Sequence, residues 1–221
     1  LIPKNDGVWK RSENWLEATA GLGSITHFIK QNDPTAKITA VELTEQLSKK
    51  LKKLQPDVNV INADFLKIPI DKFKKIDTIV CNPPFSNLGD KRFYYDFLFR
   101  CIAICNNAID KGEKGEHGVY FISPELMELS SNVKVGDSIP NDNLYSDKRL
   151  SGKKLSQIIK DITGVKIPDN KVKKTMVEQD EDKYSNVYSM FDIQQIQYRG
   201  TCQGFGGTKT TAHMYYFIMC C

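Results

Sequence analysis

Four polar residues stand where apolar runs end: Glu17 after Trp15-Leu16, Glu42 after Ala40-Val41, Asp64 after Val60-Ile61-Asn62-Ala63, and Asn82 after Ile79-Val80-Cys81. Any one of them reads equally well as a helix cap or an ordinary strand end. Their recurrence at four successive strand ends is the signal, because an open parallel sheet collects its ligand at the carboxyl ends of its strands. Between the first run and the helix after it lies Thr19-Ala20-Gly21-Leu22-Gly23, whose glycines allow a tight turn and a close backbone approach to a ligand. The position three after Gly23 is Thr26, so the G-x-G-x-x-G dinucleotide pattern is absent, and Glu17 just before the turn opposes a pyrophosphate. A cationic or zwitterionic ligand fits better, with Glu42 offering two oxygens to hydroxyls, Asp64 accepting from an amino group and Phe65 giving an apolar surface beside a ring. Asn82-Pro83-Pro84-Phe85 suits a different task. Proline fixes its own φ and restricts the residue before it, so the Asn82 side-chain oxygen and the Pro83 carbonyl are stiffly held acceptors. Aimed at the hydrogens of a planar aromatic amine, they would draw it toward a tetrahedral form whose lone pair can attack, with Phe85 stacked on the ring.

The elements that must position these residues follow from periodicity. Strands are predicted at 14–18, 37–42, 58–62, 76–81 and 118–122, and helices from Ser24, from a Thr44 cap through about Leu54 with Leu47, Leu51 and Leu54 on one face, and over 92–109. Strands alternating with helices imply a parallel sheet covered on both faces. The alternation stops at Pro124, and 124–185 is polar and charged with one predicted helix at 155–162. Strand character returns at 187–193 and 214–219, joined by a Gly-rich loop, and suggests an antiparallel hairpin on the sheet edge. The chain therefore divides into a core over 1–125, a polar basic insertion over 126–185 that could recognise substrate, and C-terminal strands over 186–221 that complete the same sheet.

With these residues in place, the chain resembles the class I S-adenosylmethionine-dependent methyltransferases, and within them the amino-methyltransferases with an Asn-Pro-Pro-Phe or Asn-Pro-Pro-Tyr motif. The resemblance runs from about Trp15 to Ile122 and is carried by Leu16 to Gly23, Val41-Glu42-Leu43, Asn62-Ala63-Asp64-Phe65 and Asn82-Pro83-Pro84-Phe85. It implies a Rossmann-like α/β fold, a mostly parallel sheet with a C-terminal antiparallel hairpin, and S-adenosylmethionine as cofactor. It further implies that Glu17, Ala18, Thr19, Gly21 and Gly23 hold the methionine part, Glu42 and Leu43 the ribose side, and Asp64 and Phe65 the adenine, with Asn82 bordering the cofactor and Asn82, Pro83, Pro84 and Phe85 acting on the acceptor. Ala18 departs from the proline common in that family.

Three acceptors share the motif: adenine N6 in DNA, adenine or guanine amino groups in RNA, and glutamine N5 in proteins. Ribosomal RNA adenine dimethyltransferases carry Leu where Pro83 stands, and glutamine methyltransferases usually carry Tyr where Phe85 stands. Phe85, the basic insertion and the tail Phe205 to Thr211, which resembles a segment of restriction-type adenine methyltransferases, favour adenine in DNA over RNA. A degenerate fold that only binds nucleic acid, or serves a partner subunit or homodimer, and a nicotinamide dehydrogenase are the competing classes; the intact fourth motif opposes the first and the missing third glycine the second.

Composition limits the rest. A hydrophobic fraction of 40% with 26% charged residues is that of a globular protein, and no apolar run reaches the roughly 18 to 20 residues of a membrane span. The net charge of +4 permits a polyanionic partner, and nine Lys or Arg against Asp161 and Asp169 between Lys148 and Lys174 mark where phosphates could be met. Six cysteines, at 81, 101, 105, 202, 220 and 221, show no C-x-x-C spacing, which points to free thiols, no metal site and a reducing intracellular compartment, cytoplasm or nucleoid/nucleus. Leu1 to Asn5 shows no secretory signal, and the lack of an initiator Met reads as a fragment or processed form.

Overall fold

The computed structural model describes residues 8–84, 87–88, 91–110, 117–123, 155–164, 166, 173–174, 188–189, 191–203 and 209–219. Seven strands form one sheet: β1 (Asn14–Glu17), β2 (Lys37–Glu42), β3 (Asn59–Asn62), β4 (Thr78–Cys81), β5 (His117–Ser123), β6 (Phe191–Gln203) and β7 (Lys209–Met219). Their order is β6-β7-β5-β4-β1-β2-β3, with β1 to β5 parallel and β7 antiparallel to both β5 and β6. This is the Rossmann-like class I methyltransferase topology. The strand order reverses at β1, since the chain first builds outward to β3 and then returns to place β4 on the other side.

The helices are α1 (Val8–Arg11), α2 (Ser24–Asn32), α3 (Glu45–Leu54), α4 (Phe93–Asp110) and α5 (Leu155–Thr163). Successive strand residues point to opposite faces, so a strand covered on both sides must be apolar throughout. Leu16, Ile79, Val119 and Phe121 join Tyr94, Leu98, Phe99 and Ile102 of α4 in one core cluster. Trp15, Ala40, Val80 and Tyr120 join Ile25 and Ile29 of α2 and Leu51 of α3 in the other. Helix α5 packs on α4, and its Ile162 lies against the first cluster. Among the described residues no helix is long and apolar enough to cross a membrane.

The elements differ from the sequence expectation in several places, the longest being β6, which runs over Phe191–Gln203 where a strand over 187–193 is predicted. Helix α1, not foreseen, brings Trp9 to 5.4 Å from Trp15, ring centroid to ring centroid, and covers the first strand. Leu54 does not share the inner face of α3: it is 66% exposed while Ser48 is buried. The helix ends there, and the next residue, Gln55, turns its amide inward to Gly23 O at 2.8 Å. Strand β7 begins at Lys209, five residues before the expected start, and pairs with β6 from Gln203 onward. Thr44 holds the N-cap position of α3 without a side-chain cap bond.

At the amino end of the sheet, Asp77 fixes β1 against β4. Its Oδ2 accepts from the backbone N–H of Glu13 (3.0 Å), the backbone N–H of Asn14 (2.8 Å) and the Asn14 side-chain amide (3.1 Å). Asp77→Ala removes the common acceptor of three donors and is expected to cost about 1 to 3 kcal/mol. Urea unfolding measures this, and Asp77→Asn, which keeps an acceptor oxygen, should fall between the two; an alanine variant with the wild-type midpoint would show that water replaces the clamp at no cost.

Candidate active site

Parallel pairing places Glu17 opposite Val80, so the segments that follow, Ala18-Thr19 and Cys81-Asn82, leave the sheet side by side. Ala18 N–H donates to Val80 O at 3.0 Å, and Thr19 Oγ1 donates to Asn82 O at 2.9 Å. The turn after β1 and the motif after β4 are thus bonded together at the switch point, where an open sheet has its crevice. Asn82 and Pro84 are exposed and Pro83 is buried. Phe85 lies outside the described residues.

The glycine turn is held from three sides. Gly23, at φ 81°, occupies a left-handed conformation at the start of α2. A Cβ there would lie 2.3 Å from Leu51 Cδ1 and 2.6 Å from Gln55 Nε2, so the turn sits directly on the end of α3. Gly21, at φ 56°, would have nothing within 4 Å of its Cβ. Its requirement is conformational, and it leaves open space where a ligand can meet the backbone. Gly21 N–H donates to Glu42 Oε2 at 2.8 Å, and Thr44 N–H donates to Glu42 Oε1 at 2.7 Å. Glu42, 8% exposed, therefore joins the end of β2 to the turn after β1.

The remaining acids are handled differently. Glu17 is 1% exposed and accepts from Thr26 N–H at 2.9 Å, satisfying a free donor in the first turn of α2. Burial lifts its pKa from the ordinary 4.5 to about 8; the Thr26 bond opposes the shift and the nearby Glu42 adds to it. Asp64, at the end of β3, accepts from Leu66 N–H at 3.0 Å and has Lys67 Nζ 3.4 Å from its other oxygen, leaving the half-buried carboxylate with unused lone pairs. Phe65 offers no open face: it is 3% exposed, stacked at 5.8 Å on Phe97 of α4 and 5.7 Å from Phe73. Leu43, beside Glu42, is 69% exposed and Ala18 is 1% exposed.

Several supporting residues carried no sequence signal of their own. Thr26 and Gln55 act through helix ends, and Asn62 donates its side-chain amide to Glu42 O (2.9 Å) and Leu43 O (3.0 Å), pinning the second carboxylate's backbone. Asn62 could have been noticed, since it falls at the same level as Glu42 once the strands are aligned in parallel. A second depression, of about 270 Å³, lies at the opposite, amino end of the strands among Asn14, Lys30, Lys37, Asp57 and Lys74. Two of its lysines are engaged, Lys30 with Asp57 at 2.7 Å and Lys37 with Glu13.

Residues 4–112 match the family model of the methyltransferase small domain. Topology and match together support a class I methyltransferase. They imply S-adenosylmethionine as the cofactor of such a fold, and Glu42 and Asp64, at the carboxyl ends of neighbouring strands, have the acceptor chemistry that a ligand with hydroxyl and amino donors requires. Solved structures similar to this chain include the 23S rRNA methyltransferase ErmE, at 13% identity and TM-score 0.48, with 95% of this chain and 62% of that one covered. TrmN from Thermus thermophilus matches at 13% identity and TM-score 0.43, covering 95% and 45%. An S-adenosylmethionine-dependent O-methyltransferase from Thermotoga maritima matches at 11% and 0.44, covering 96% and 60%. The chain spans less than two thirds of each of these structures. No curated protein sequence matches it.

The buried Glu17 gives the protein a pH signature. An acid with a raised folded pKa contributes stability that is full below its unfolded value, near 4.5, and is lost as pH rises through about 8. Glu17→Gln keeps an oxygen for Thr26 N–H and cannot ionise. Relative to this variant, the wild type is expected to lose stability between pH 5 and 8, by at most about 1.4 kcal/mol per pH unit. Parallel stability profiles for the two proteins would mean that Glu17 titrates as an ordinary carboxylate.

Proposed function

We propose that this methyltransferase acts on an exocyclic amino nitrogen, adenine N6 in DNA before the amino groups of RNA or the side-chain amide of glutamine. The hydrogen bond from Thr19 to Asn82 O carries the reading, because it holds the amine-directed motif against the turn proposed to bind the cofactor. S-adenosylmethionine, when bound, supplies an electrophilic methyl group on sulfonium. Glu42 would take the ribose hydroxyls with lone pairs that Gly21 and Thr44 leave free, and Asp64 would accept from the adenine amino group. Glu17 would act from behind the turn by fixing the start of α2. Asn82, exposed beside that turn, would accept from the substrate amine through its side-chain oxygen, with the Pro83 carbonyl as second acceptor. The basic stretch 148–174 would meet the nucleic-acid backbone; of its lysines, Lys160 on α5 is exposed.

Asn82→Ala tests the chemical step. Its acceptor matters only as the amine becomes nucleophilic, so methyl transfer should fall about a hundredfold to a thousandfold while cofactor affinity in calorimetry stays within twofold. Assays with tritiated cofactor on separate DNA, RNA and protein pools identify the acceptor, and a variant that methylates at the wild-type rate would end the mechanism. Neutralising Lys153, Lys154 and Lys160 together should weaken nucleic-acid binding and reduce its salt slope by up to about one unit per lost phosphate contact. An unaltered slope would leave the run as a solvated surface.

A further inference from the structure

Arg100 is a charged residue buried in an apolar layer. It sits in the middle of α4 among Phe97, Leu98, Phe99 and Cys101, with 6% of its surface exposed. Its Nε has no hydrogen-bond partner among the described residues. Burying a guanidinium is costly, and a leucine or methionine at this position would pack against the same neighbours without that cost. The guanidinium carbon instead lies 5.6 Å from the centroid of the Phe65 ring, within cation–π range. Phe65 is held on its other sides by Phe97 and Phe73, so the arginine completes its enclosure.

Phe65 is the residue after Asp64, and holding its ring fixes the backbone from which the Asp64 carboxylate projects. The two charges also interact directly. Burial drives the Arg100 pKa down, and attraction to Asp64 acts in the opposite direction. That attraction works without a hydrogen bond, which matters for an acceptor. Lys67, 83% exposed at 3.4 Å, can swing into solvent, and water screens its charge. Arg100 is fixed and poorly screened. Acting without a hydrogen bond, it leaves the remaining Asp64 oxygen lone pairs for an incoming amino group.

We propose that Arg100 is a positioning residue for the adenine end of the cofactor site, acting through Phe65 and Asp64 on the discrimination of an amino-bearing base. The proposal rests on the reading of Asp64 as the adenine acceptor. Its signature is that stability and affinity move in opposite directions. Arg100→Met replaces a buried charge whose Nε is unsatisfied with an apolar chain of similar length, so the melting temperature should hold or rise. S-adenosylmethionine affinity, measured by calorimetry at low ionic strength, should nevertheless fall at least fivefold. Arg100→Lys, which keeps a cation over Phe65, should recover part of that loss.

A double-mutant cycle with Asp64→Asn separates positioning from packing. If Arg100 acts through the carboxylate, Arg100→Met should change affinity less than twofold once Asp64 is neutral. An equal loss in both backgrounds, or a loss that tracks a falling melting temperature, would overturn the proposal in favour of simple packing. Wild-type affinity in Arg100→Met would overturn it as well. Wild-type protein that binds no S-adenosylmethionine would sink the methyltransferase reading and this inference with it, so the two failures are told apart by the wild-type titration alone.

Discussion

Strand β1 is four residues long and is paired on both sides, so the geometry of the crevice depends on its register. Glu17 stands level with Ala40 on β2 and Val80 on β4, and the chain that follows is bonded to both neighbours: Ala18 N–H to Val80 O, Ala20 N–H to Val41 O. A slip of one residue would exchange Trp15 and Leu16 between the two core clusters and draw Thr19 away from Asn82. Burial of those two side chains resists the slip from the faces, and the Asp77 clamp resists it from the amino end. Packing far from the crevice thus sets the alignment of the two motifs within it.

The acids of the crevice show three ways of placing negative charge in a folded chain. Glu17 is buried and stays protonated to about pH 8. Glu42 is ringed by backbone donors, each oxygen taking one N–H. Asp64 stays half-buried with one lysine at its edge and one arginine behind it. Such differences matter because like charges set close together raise one another's pKa, and a neutral Glu17 lets Glu42 remain next to the glycine turn with less repulsion. The chain's own bonds from Glu42 to Gly21 and from Glu17 to Thr26 thus brace the glycine turn at both ends.

Much of this was legible in the sequence because strands covered on both faces leave nearly continuous apolar runs, and a polar residue ending each run is conspicuous. The boundaries of β2, α4 and α5 follow from the pattern to within a residue. What the pattern cannot carry is partnership across the fold. Asp77 reads as one polar residue inside a strand until β1 lies beside it, and Arg100 reads as one charge in a largely apolar helix until Phe65 is found beneath it. Phe65 shows the same limit. An aromatic residue beside a proposed ring site suggests stacking, whereas here the core under α4 claims the side chain. The start of β7 is obscured by chemistry rather than distance, since the polar Lys209-Thr210-Thr211 lacks the alternation of a half-buried strand, yet these residues pair with Gln203, Cys202 and Thr201 of β6.

With Phe65 in the core, the apolar contribution to the crevice falls to other residues. Leu22 follows Gly21 and Leu43 follows Glu42, and the bond from Gly21 N–H to Glu42 Oε2 keeps the two segments together. Both leucines are well exposed, 50% and 69% respectively, and among the described residues Leu54 is the other large hydrophobic side chain so exposed. A single exposed leucine is unremarkable, but these two follow residues bonded to each other at the carboxyl ends of β1 and β2. Covering them would remove apolar surface from water at roughly 25 cal/mol per Å², a gain that no contact within the described chain supplies. A flat ring lying between the segments would make that contact while its edge met Asp64, so under the proposed function shape and hydrogen bonding would select the same part of the cofactor.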